Sequence, residues 1–138
     1  MSTGRMDWTD FQNGACLGGR GTDNGTVLLD KVHPLGGRVT LEEGGGHPWA
    51  VTCGVSGAVF VHSMWAQSLD EAESMAASVM EDIGDFLERM ESDEVSQSEA
   101  IRFAGVWMES FVGKYDGTPE WQKKPPLRTL FPEFFGAG

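Results

Sequence analysis

The hydrophobic period of this chain changes once, and that change constrains the fold more than any motif does. From residue 26 to 65 the apolar side chains come in short β-rich runs broken by glycine; from 69 to 113 they recur at spacings of three and four. Strands first and helices afterwards, without alternation, predict an α+β domain with an antiparallel sheet.

Four runs read as strands in meander order: TVLLDKV (26–32), RVTLEE (38–43), WAVTCGV (49–55) and AVFVHSMW (58–65). In the second, Val39 and Leu41 alternate with Arg38, Thr40 and Glu42, so one face is expected buried and one wetted. Glu42 and Glu43, just before three glycines, read as a solvated strand end. A two-residue turn at Ser56-Gly57 would set 55 opposite 58, 53 opposite 60 and 51 opposite 62. One face of that hairpin carries Trp49, Val51, Cys53, Val55, Phe60, His62 and Met64. The other carries Ala50, Thr52, Gly54, Val59, Val61, Ser63 and Trp65. Both are largely apolar, which predicts a central hairpin covered on both sides.

Two amphipathic helices are expected on one face of the sheet. Ser68 to Glu71 is a capping box, and Leu69, Ala72, Ala76, Val79, Met80, Ile83, Leu87 and Met90 form one apolar stripe with acids on the remainder. Gly84 interrupts this helix where a neighbouring element would approach closely. Ser96 to Glu99 opens a second helix, 97–113, with Ala100, Ile101, Ala104, Trp107, Met108 and Phe111 directed inward.

The 138 residues suit a single domain: a loop-rich arm (1–25) pinned by Trp8 and Phe11, the sheet (26–65), the helices (68–113) and an apolar strap (114–138) rich in proline and phenylalanine. The strap is expected to pack on the chain's own sheet or on a neighbouring subunit.

A net charge of −11 argues against nucleic-acid binding, which needs a basic footprint. No run is long enough to span a membrane. The start MSTGRMDWTDFQ lacks the apolar core of a leader, and two cysteines, Cys16 and Cys53, fit a reducing compartment, so a cytoplasmic location is expected. GGRGTDNG matches no phosphate loop. The histidines and carboxylates match no metal-site spacing, so no cofactor or metal is expected.

Cys53 and His62 would lie one diagonal step apart, close enough to suggest a nucleophile and its base. Against that, Trp49, Val51, Phe60 and Met64 surround the thiol, and apolar surroundings make a thiol inert. Asp70, Glu73, Glu81, Asp85 and Glu88 form an acidic helix face suited to a basic protein partner. The expectation is a non-enzymatic binding or interaction protein, favoured as a homodimer. The alternative is a small enzyme or small-molecule binder with its pocket between sheet and helices, near Cys53 and His62, with Thr52 at the mouth.

Overall fold

The structure, a computed structural model, describes residues 7–55, 60–91 and 96–115. The glycine-bounded runs become strands β2 (Thr26–Val32), β3 (Gly37–Glu43), β4 (Trp49–Val55) and β5 (Phe60–Ala66), preceded by β1 (Thr9–Asp10) and followed by helices α1 (Leu69–Met90) and α2 (Gln97–Lys114). The five strands form one antiparallel meander in the order β1-β2-β3-β4-β5. The protein is thus an α+β fold with one strand more than the periodicity predicts. That strand comes from the arm: two residues have no period to read, and Lys31 holds Asp10 at 2.6 Å across the pair.

The β4–β5 register differs from the expected one. Val55 pairs with Phe60, and Cys53 with His62, so Cys53 and His62 are direct partners rather than diagonal ones. The shift is by two residues, which leaves every side chain on its expected face. Residues 56–59, where the two-residue turn was expected, lie outside the described residues. Because strand order follows chain order, β5 is the edge strand among the described residues, and within them the hairpin is not central. Its second face is exposed on β5, with Val61 76% exposed and Trp65 about half exposed, and covered on β4, where Ala50 is 1% exposed.

The helix-facing side is built of apolar rows that run across the strands, such as Leu29–Leu41–Val51–Met64. All four are buried in one cluster with Ala76, Val79, Met80 and Ile83 of α1. A bulge between Val27 and Leu29 puts Val27 on the opposite side while Leu29 stays in the core.

Ser68 caps α1 by accepting from the Glu71 amide, while Glu71 reaches back to the Gln67 amide rather than to Ser68. Ser96 and Glu99 form a reciprocal capping box at α2. Residues 72–80 of α1 are buried without a break, so the first half of this helix is interior rather than amphipathic. It packs on β3, β4 and β5 on one side and meets α2 from Ser78 onward on another. Phe86 stacks on Trp107 at 4.1 Å, and Trp107, Phe111 and Tyr115 continue the ladder. Ile101, expected inward, is 69% exposed, because α2 contacts the body mainly through Phe103, Trp107 and Phe111.

Trp8 pins the arm as expected, meeting the His33 ring edge-on at 5.2 Å. The close neighbours of Gly84 are these same two rings, both from this chain. Phe11 lies under the Arg38 guanidinium at 3.7 Å. Residues 116–138, which hold most of the expected apolar strap, lie outside the described residues. Among the described residues no helix is long and apolar enough to cross a membrane.

A polar cleft on the helix-free face of the sheet

The strand register that builds the core rows also builds polar rows on the other face, one residue out of step. Asp30 pairs with Thr40, Thr40 with Thr52, and Thr52 with Ser63, giving one polar row across four strands. The next row is Val32–Arg38–Gly54–Val61. Without Ser63 and Val32 at their ends, these rows floor a cleft of about 400 Å³, with Val27 and Val61 as its apolar lining.

The roof is the glycine-rich arm. Gly18 donates to the Val27 carbonyl and Val27 to that of Gly19, so residues 18–27 fold back as a hairpin that carries Arg20 and Thr22 over the floor, with Cys16 just before it. Two carboxylates fasten this roof. Glu42 accepts the amides of Asp23 (3.0 Å) and Gly25 (2.8 Å), and Thr22 directs its hydroxyl to Glu42 Oε2 over 3.4 Å. Asp23 accepts the His47 amide at 2.9 Å and contacts the His47 ring, which stacks on Trp65 at 4.5 Å. Glu42 is therefore no solvated strand end: it is 1% exposed. Its neighbour Gly21 makes the room, since a Cβ there would lie 2.7 Å from Glu42 Oε1.

Within the cleft, Asp30 is 1% exposed and takes two bonds from Arg38, Nε to Oδ1 at 2.9 Å and Nη2 to Oδ2 at 2.7 Å. These bonds to Asp30 raise the Arg38 pKa above its ordinary value, so the guanidinium is always charged. A hydroxyl chain runs beside it, Thr22 to Thr52 at 3.1 Å and Thr52 to Ser63 at 3.2 Å. When Thr22 gives its proton to Glu42, the order along the chain is Thr52 to Thr22 and Ser63 to Thr52. The Thr40 hydroxyl has no hydrogen-bond partner among the described residues.

Of the residues singled out in the sequence, Thr52 lines the cleft, while the Cys53 and His62 side chains share the opposite face. Cys53 is 2% exposed, and its thiol bonds the His62 backbone carbonyl at 3.5 Å. Burial pushes this thiol up to about 12, so it stays protonated at neutral pH. The His62 ring meets Phe111 edge-on, and its Nε2 is buried without a hydrogen-bond partner among the described residues. The register thus brings the two side by side, but in core surroundings. Cys53 borders the cleft only from the strand backbone, its thiol facing the helices, and Thr52 lines the cleft on the other side.

The acidic residues do not share one exposed face. Asp70 and Asp85 are exposed and Glu81 and Glu88 half-buried, but Glu73 is 1% exposed inside the buried stretch of α1. Glu88 faces buried His33, whose Nδ1 accepts the Leu35 amide and so leaves the proton on Nε2 for Glu88, 3.3 Å away. Among the described residues no cluster could hold a metal ion.

The cleft residues Asp30, Arg38, Thr40, Arg20 and Thr22 were not visible as a group in the sequence. The nearest signal was the alternation of β3, which places Arg38 and Thr40 opposite Val39 and Leu41. No family model, curated protein or solved structure matches the chain, so the cleft is read from its own chemistry.

Proposed function

We propose that this protein binds a small molecule in the cleft between its glycine-rich arm and the face of its sheet opposite α1. The observation that carries this reading is a cavity of about 400 Å³ whose floor and roof converge polar groups with a few apolar ones. Binding sites for small ligands have that size and mixture. It takes up the small-molecule alternative raised by the sequence but moves it to the opposite face of the sheet. The acidic-surface reading loses support because Glu73 is buried and Glu88 is engaged with His33. The one carboxylate that faces a cleft hydroxyl among the described residues, Glu42 opposite Thr22, is tied up by the Asp23 and Gly25 amides, so binding rather than catalysis is the activity proposed.

The test is amide chemical-shift mapping of the full chain against a panel of small organic compounds. Shifts gathered at Thr22, Thr40, Thr52 and Gly54 support the reading. Binding that maps instead to α2, or a cleft that stays silent to the whole panel, overturns it. A bulky thiol adduct on cleft-lining Cys16 is expected to abolish the shifts.

A further inference from the structure

Granting that cleft as the binding site, we infer that its ligand is a small organic monocarboxylate, held by the open edge of Arg38 and by Arg20. The guanidinium of Arg38 spends Nε and one proton of Nη2 on Asp30. Phe11 covers one of its flat faces at 3.7 Å. What remains is the end formed by Nη1 and the second Nη2 proton, two parallel donors on a group already locked in position. Two parallel N–H donors match the two oxygens of a carboxylate.

The donor count points the same way. The protons of Thr22, Thr52 and Ser63 run along the chain toward Glu42, so these hydroxyls offer the cleft little to donate. The side-chain donors left over are the Thr40 hydroxyl, the weakly donating Cys16 thiol beside Arg38 and the two guanidinium groups. A ligand entering this cleft must therefore accept hydrogen bonds.

Charge sets the valence. Arg20 and Arg38 against Asp30 give the lining a charge of +1, in a chain whose net charge is −11. Arg38 is already neutralised by Asp30, so Arg20, which has no carboxylate partner among the described residues, supplies the surplus. One carboxylate cancels it. A dianion would leave excess negative charge beside buried Asp30. Val27 and Val61 at the edges provide for a short apolar tail.

The experiment titrates the full chain with sodium hexanoate and with hexanamide, a neutral compound of nearly the same shape, following backbone amides and the Arg38 Nε–H. Hexanoate is expected to shift Arg38, Thr40 and Thr52 and to bind roughly tenfold more tightly than hexanamide. Replacing Arg38 would orphan Asp30 and endanger folding, so the variant is Arg20→Gln on the exposed arm. It should weaken hexanoate several-fold and hexanamide much less, because only hexanoate loses a charge partner. Equal shifts from both compounds at the cleft would overturn the carboxylate inference while leaving the small-molecule reading intact. Hexanoate failing at tens of millimolar, while other compounds of the panel shift the cleft, does the same. Silence toward every compound overturns both.

Discussion

The two faces of the sheet are made by the same strands yet solve opposite problems. One step along β3 separates Leu41, 1% exposed in a row with Leu29, Val51 and Met64, from Thr40, half-buried in a row with Asp30, Thr52 and Ser63. The first row is closed by a helix that fills the space with side chains. The second is roofed by a loop hairpin that touches down at its edges, through Glu42 and Asp23, and leaves a hollow between. A helix covers a sheet with a continuous apolar stripe; a glycine-rich loop has few side chains to insert. The difference in filling follows from what each roof is made of, and on the proposed reading one face serves stability and the other recognition.

The sharpest way to break that assignment is to truncate the core row. Leu41→Ala removes three buried carbons among packed neighbours and is expected to cost about 3 kcal/mol, from the transfer of the lost atoms plus the cavity left behind. Urea unfolding at neutral pH measures it. A loss below about 1 kcal/mol would mean that the helix-facing side does not carry the fold.

How far this division could be read from sequence depends on the element. The bounds of β2 and β4 follow from their runs, and both capping residues, Ser68 and Ser96, stand where the hydroxyl-to-glutamate spacing puts them. The β4–β5 register was missed because two residues, Ser56-Gly57, looked sufficient to reverse the chain, whereas Val55 pairs with Phe60. β1 was invisible because its contacts with Lys31 and Val32 are tertiary. The cleft was harder still. Glu42 looked solvated because nothing local shows that an arm some twenty residues earlier turns its amides onto it, with Gly21 lacking the side chain that would prevent it. The Asp30–Arg38 pair depends on a diagonal across β2 and β3 that only the register defines. Glu73 looked exposed because its place on the helical wheel says nothing of what packs on the far side of α1.

The thiols provide a second comparison between the faces. Cys16 lines the cleft and Cys53 lies in the core, so a thiol reagent should modify Cys16 in the folded protein and reach Cys53 only on unfolding. The pH dependence sharpens this. An unfolded thiol ionises near 9, whereas burial holds Cys53 at about 12. The folded state therefore keeps a proton that the unfolded state loses, so the stabilisation is complete below pH 9 and declines as pH rises toward 12. Between pH 8 and pH 10 the expected decline from this group is about 1.4 kcal/mol. Tyr115 is also pushed upward, chiefly by burial, and adds a decline of the same sign above pH 10. The Cys53 share is isolated by subtracting the same measurement on Cys53→Ala. If the two proteins lose stability in parallel over that range, the thiol is solvated and the core face is not dry.

The smallest expected effect on stability falls on Thr40, next to Leu41 in sequence and opposite to it in role. Thr40→Val exchanges a hydroxyl without a hydrogen-bond partner among the described residues for a methyl of similar volume and equal preference for strands, so the unfolding free energy should stay within about 0.5 kcal/mol. The same change deletes one of the few donors left to the cleft, so hexanoate binding should weaken about threefold. Measured side by side, Leu41→Ala and Thr40→Val should separate completely: stability falls in the first, and affinity falls with stability retained in the second. If Thr40→Val instead lost stability as Leu41→Ala does, its hydroxyl would be holding the sheet together, and the polar row would be a structural seam rather than the floor of a binding site.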